Sequence, residues 1–125
     1  MIGSKFLDSS AWLSYFYAEN DEIKSIIESN IVLLASSISI FEIKNKLIKD
    51  KSEDIKIKKS IDFIKKRALI INVDEEIAEK AVDFSIKNKL YTVDALIYAS
   101  CLINNSILIT LDNDFRDLNS VNALN

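Results

Sequence analysis

The sequence predicts an α/β fold, a mainly parallel sheet of four to five strands with helices on both faces. Three observations predict it. Short runs rich in β-branched residues alternate with segments of helical periodicity along the chain. The strand candidates are apolar nearly throughout, as strands covered on both faces are. No internal repeat or low-complexity linker interrupts the pattern, so residues 1–125 are expected to form a single domain.

The elements follow in order. KFLD (5–8) is a brief apolar run ending on an acid. From Ser9 to Glu28 the spacing of Trp12, Leu13, Phe16, Ile23, Ile26 and Ile27 predicts one helix. IVLLASS (31–37) reads as a buried strand. Ser39-Ile40-Phe41-Glu42 has the form of a capping box, which predicts a helix from there to Asp50 with Ile40, Ile43 and Leu47 inward. KDKSED is a turn, and Ile57, Ile61 and Ile64 mark a further helix to Arg67. ALIINV (68–73) is a third strand. A helix over 74–89 presents Ile77, Ala81 and Phe84, with Ala78, Val82 and Ile86 close by. Thr92 is placed to cap a helix over 93–104 that is apolar almost all round, hence buried, with Cys101 a small hydrophobe inside it. SILITLD (106–112) is a fourth strand ending on acid, DFRDL a short helical turn, and VNAL (121–124) a small last strand. Without Pro, and with Gly3 as the lone glycine, Asn and Ser must mark the turns, as at Ser29-Asn30 and Asn104-Asn105.

The scarce residues limit the chemistry. Among 125 residues there is no His, one Cys and one Gly. No imidazole is available as a general base, and one Cys cannot build a thiolate cage for zinc. A Gly-rich phosphate loop is excluded. A single Cys also forbids an internal disulfide, which fits a reducing cytoplasm. The start, MIGSKFLDSSAWL, is not a signal peptide, and ALIYASCLI (95–103) is about half a membrane span of roughly 20 residues. The expected setting is cytoplasmic, with no membrane partner.

Carboxylates remain. In an open parallel sheet, ligands bind beyond the carboxyl ends of the strands. Asp8 ends the first strand, and Asp112 ends the fourth, with Asp114 two residues on. Glu42 lies in the first turn of the helix after the second strand, and Asp94 in the first turn of the buried helix. Right-handed crossovers bring Asp8, Glu42, Asp94 and Asp112 to one edge. Like charges so gathered need a counter-charge, and Mg²⁺ or Mn²⁺ prefers oxygen ligands. Such an ion polarises a phosphoryl oxygen and lowers the pKa of a bound water, so a phosphodiester is the substrate class that suits the set. Each acid also has an ordinary local role. Glu42 fits the capping box, Asp94 a helix N-terminus, Asp8 an N-cap, and Asp112 and Asp114 a turn.

FLDSSAWL, SISIFEIKNKL, TVDALIYASC and LITLDNDF follow one another in the order and approximate spacing of a PIN domain. The chain resembles the small prokaryotic VapC-type toxins of that family, from Lys5 to Phe115. The resemblance implies a three-layer α/β/α sandwich and a metal-dependent endoribonuclease that leaves a 5′-phosphate and a 3′-hydroxyl. It carries the family's acidic quartet onto Asp8, Glu42, Asp94 and Asp112, with Asp8 and Asp94 as main metal ligands. By the same likeness, Glu42 binds a metal or orients the attacking water, Asp112 completes the site, and Asp114 matches a more variable acid. Ser9 and Thr110 match small hydroxyl positions that support the site. Relatives dimerise and bind an antitoxin, so a homodimer and a cognate antitoxin protein are implied partners beside RNA. Other acidic α/β families fit less well. Haloacid-dehalogenase-like phosphatases need a second Asp two residues after the first, where this chain has Ser10, and receiver domains need an acidic pair and a Lys that are absent.

The net charge of −3 hides an asymmetry. Residues 43–67 carry +6, from ten basic and four acidic residues, against −9 for the rest. This basic segment suits a phosphate-steering rim or simply solvates two outer helices. Lys46 and Lys49 share a helix face with Glu42 and are the expected RNA contacts. Trp12, Tyr15, Phe16 and Tyr17 cannot all face one core stripe, so some are expected to meet another chain, while core packing is the expected role of Trp12 and Phe16. The alternative to an enzyme is a PIN-like module that binds RNA or protein without cleaving; the intact quartet favours the enzyme.

Overall fold

Five strands, β1 (Lys5–Leu7), β2 (Leu33–Ser36), β3 (Ala68–Ile71), β4 (Ile107–Thr110) and β5 (Val121–Ala123), form one sheet of order β3-β2-β1-β4-β5. Every neighbouring pair runs parallel. This computed structural model describes residues 3–124; Met1, Ile2 and Asn125, at the bounds of the expected domain, lie outside the described residues. The helices are α1 (Ser9–Phe16), α2 (Asp21–Ile27), α3 (Ser37–Lys49), α4 (Asp54–Arg67), α5 (Glu75–Lys87) and α6 (Thr92–Ile103), with a 3-10 turn at Asn113–Phe115.

Side-chain alternation along the central strands builds the three layers. Phe6, Leu34 and Leu108 lie side by side in register and pack with Ile77 and Ala81 of α5 and with Ala95, Tyr98 and Cys101 of α6. Leu7, Leu33, Ala35 and Ile109 face the other way, onto Trp12, Ile27, Ile43, Leu47, Ile61 and Ile64 of α1 to α4. The central strands are therefore covered on both faces, which is why they carry almost no polar residues. Cys101 is fully buried, and its thiol donates to the Ser106 carbonyl.

Several local expectations need correction. The single helix over 9–28 is two helices that break at Ala18. Asn20 caps the second, its side chain accepting from the Ile23 N–H at 3.0 Å. The capping box at Ser39–Glu42 does not form. α3 starts three residues earlier, capped by Ser36 instead of Ser39, and Ser39 is buried within the helix. Thr92 is the first helical residue of α6 rather than its cap; Tyr91 takes that position without a side-chain bond. Phe16 takes its expected core role, and Tyr15 joins it: both are partly buried against Phe63 of α4, with ring centroids 6.2 and 5.4 Å away.

Helix ends show how the chain turns without glycine. After α1, α3 and α6 the residues Ala18, Lys51 and Asn105 adopt left-handed φ of 55°, 60° and 52°. Each closes a Schellman motif. After α3, for example, Lys51 N–H bonds Ile48 O and Ser52 N–H bonds Leu47 O, both at 3.0 Å. Glycine usually occupies this position, because a Cβ there meets the following carbonyl.

Arg67 belongs to the architecture. Its guanidinium donates to the carbonyls of Ile27, Ser29 and Ile31 at 2.7 to 3.0 Å, closing the end of α2 and the approach to β2. This group, counted in the basic segment, is partly buried and bonded to the fold's own carbonyls.

Candidate active site

The parallel strands place their carboxyl ends along one edge. Asp8 follows β1 and Asp112 follows β4, while Glu42 projects from the second turn of α3 after β2. Asp94 lies in the first turn of α6, whose N-terminus faces the same edge because its C-terminus feeds β4. Asp94, Asp112 and Asp114 offer carboxylate oxygens that all lie within 4.8 Å of one another. Asp8 and Glu42 are outside this tightest group, yet both act on it electrostatically. Asp114, the more variable acid by the family likeness, thus sits in the tightest group with Asp94 and Asp112.

Asp8 is the most enclosed of the five, at 5% exposure. Its Oδ1 accepts from the Ala11 N–H at 3.1 Å, so the N-cap role is real, and from the Ser10 hydroxyl at 2.6 Å. Its Oδ2 accepts from the Thr110 hydroxyl at 2.5 Å. Burial pushes the Asp8 carboxyl up to about 6; the bonds from Ser10, Thr110 and Ala11 pull it back down, and the charge of Asp112 adds to the rise.

Asp94 is half-buried. Burial, followed by the negative charges of Asp112, Asp114, Asp8 and Glu42, pushes it up to about 6 as well. Glu42 moves in the same direction. Its burial is the main cause, the Ser9 hydroxyl bond opposes it, and Asp112 adds to it. The turn role of Asp112 coexists with its place in the cluster, since its Oδ1 accepts from the Asp114 N–H at 2.9 Å.

Ser9 and Thr110 therefore each hold a carboxylate, Ser9 that of Glu42 and Thr110 that of Asp8. Ser10 was missed. Its part depends on the Leu111 N–H, which donates to Ser10 Oγ at 3.0 Å from far along the chain. Lys46 and Lys49 are exposed, about 6 and 10 Å along the α3 axis from Glu42 at the usual helical rise. Lys46 also pairs with Asp50 at 3.3 Å.

An all-carboxylate set with no imidazole or thiolate suits a hard divalent cation and not zinc or copper. Burial and mutual repulsion raise three of its members. A cation is the partner that would relieve both effects, so the donor set fits Mg²⁺ or Mn²⁺.

The family model described as PIN domain matches residues 5–120. Among solved structures, a toxin–antitoxin complex from Klebsiella pneumoniae superposes with a TM-score of 0.79 at 23% identity, covering 96% of this chain and 97% of that one. VapBC2 from Rickettsia felis, bound to a DNA fragment from its promoter, gives 0.80 at 16% identity, covering 97% and 98%. VapC20 of Mycobacterium tuberculosis, a sarcin-ricin loop cleaving toxin, gives 0.70 at 14% identity, covering 98% and 90%. At these identities the likeness concerns the fold. No curated protein matches the sequence.

Proposed function

The chain belongs to the PIN domain family, and from that premise we propose that it is a Mg²⁺- or Mn²⁺-dependent endoribonuclease, the toxin of a toxin–antitoxin pair. The observation that carries the reading is the gathering of Asp94, Asp112 and Asp114 within 4.8 Å, with Asp8 and Glu42 felt electrostatically beside them. The toxins named among the structural neighbours, one of which cleaves the sarcin-ricin loop, support the choice of RNA.

When bound, a divalent cation would polarise a phosphoryl oxygen and lower the pKa of a coordinated water. Asp94, Asp112 and Asp114 would hold it, with Asp8 as a ligand from the buried side. Glu42, fixed by Ser9 and raised in pKa, is suited to orient the attacking water and accept its proton. Lys46 and Lys49 would draw the RNA backbone along α3 toward the acids, offsetting the repulsion between an anionic substrate and an anionic site.

An antitoxin and a second copy of the chain are the proposed protein partners. Exposed apolar residues support this: Phe41 and Ile48 on α3, Ile55 on α4, and Val82 and Ile86 on α5. No helix among the described residues is long and apolar enough to cross a membrane, and a cytoplasmic setting is part of the same proposal.

The test is incubation of RNA with purified protein, with Mn²⁺ or with chelator, followed by analysis of the product ends. The proposal expects metal-dependent cutting that leaves a 5′-phosphate and a 3′-hydroxyl, and loss of cutting in Asp94→Asn. Retention of RNA without cutting would point instead to a binding module.

A further inference from the structure

Proton accounting around Asp8 identifies a residue that composition and spacing do not. The Leu111 N–H can only donate, so Ser10 Oγ accepts from it at 3.0 Å and must direct its own proton to Asp8 Oδ1, 2.6 Å away. Thr110 repeats the logic. Its Oγ1 accepts from the Asp112 N–H at 2.9 Å, so its proton goes to Asp8 Oδ2. The 3.4 Å approach of the two hydroxyl oxygens then has no proton to share. A carboxylate has about four acceptor directions. Ser10 and Ala11 fill both on Oδ1, and Thr110 fills one on Oδ2. One direction on Oδ2 remains.

We propose that Ser10 is a positioning residue for the metal centre: by saturating Asp8 Oδ1 and tying the β1–α1 junction to the segment after β4, it restricts Asp8 to one-oxygen ligation through Oδ2. This rests on the proposed function. Without the Ser10 hydroxyl, Oδ1 keeps only the Ala11 N–H, the carboxylate is held less firmly, and the Leu111 N–H loses its acceptor. The segment that loosens is the one carrying Asp112 and Asp114, so a single hydroxyl sets the position of ligands from two strands.

The test is calorimetric titration of Mn²⁺ into metal-free protein, with thermal unfolding of the same metal-free samples. Ser10→Ala should weaken Mn²⁺ binding by about 10-fold or more, the range seen when a group orienting a ligand is removed. Ser10→Thr, which keeps the hydroxyl, should stay within about threefold of the parent by the same reasoning. A purely structural Ser10 would lower the unfolding temperature while leaving the affinity of folded protein unchanged, and that result overturns the proposal. If Ser10→Ala does not fold, Ser10→Cys, similar in shape with a weak donor, takes its place: loss of affinity supports the role and parental affinity overturns it. If the parent itself binds no Mn²⁺, the metal-centre reading fails and this proposal with it. If the parent binds and the Ser10 variants match it, positioning alone fails.

Discussion

Asp94 and Asp112 present carboxylate oxygens within 4.8 Å of each other, one from the first turn of α6 and one from just past β4. Without a cation this contact is repulsive. Asp94→Asn should therefore stabilise the metal-free fold by about 1 kcal/mol, a modest figure because solvent screens a half-exposed group. Denaturant unfolding in chelator measures this. A variant less stable than the parent would mean that Asp94 serves the fold and not a cation.

The buried acids also set a pH dependence. Asp8 lies at about 6 in the folded protein against 3.8 ordinarily, so the folded state binds more protons than the unfolded chain between those values. Stability from this source is full below about pH 4 and is lost as pH rises through 6. For Asp8 the loss is on the order of 2–3 kcal/mol, and Asp94 adds a smaller share in the same direction. In chelator, the urea midpoint should be lower at pH 7.5 than at pH 5.5, and Mn²⁺ should restore it at pH 7.5. A midpoint that rises toward pH 7.5 in chelator contradicts the burial of these charges.

The basic segment divides into two kinds of residue. Arg67→Ala removes a charged donor from three carbonyls and should cost about 2–3 kcal/mol of stability. Its exposed neighbour Lys66→Ala should stay within about 0.5 kcal/mol. Thermal unfolding of the two variants separates them, and equal effects would remove Arg67 from the fold's framework.

Lys51 holds a left-handed position that closes α3. Lys51→Gly should raise stability by about 1 kcal/mol, or a few degrees in Tm, because the Cβ penalty disappears. Lys44→Gly, exposed in the middle of the same helix, should lower stability by a similar amount, about 1 kcal/mol. Equal signs for the two would contradict the Schellman ending.

These residues also mark where the sequence was legible. Runs such as LLAS and ILIT are apolar because both sheet faces are covered, so the strands could be read directly. The site acids followed, since parallel strands place their carboxyl ends together. The break between α1 and α2 was hidden, because Ala18 turns the chain where a glycine would have announced it. The start of α3 was misplaced because Ser36, Ser37 and Ser39 are equivalent in sequence and only the hydrogen bond to the Ile38 N–H selects Ser36. Ser10 escaped for another reason. What makes it matter is the backbone N–H of Leu111, and a partner that distant leaves no local signature.

The central claim is that the carboxylates at this sheet edge form a divalent-cation centre. Calorimetric titration of Mn²⁺ at pH 7.5 into parent protein and Asp94→Asn tests it most directly. The account predicts saturable binding by the parent and at least about 10-fold weaker binding by the variant. No saturable binding by the parent, or equal binding by a folded Asp94→Asn, would contradict it.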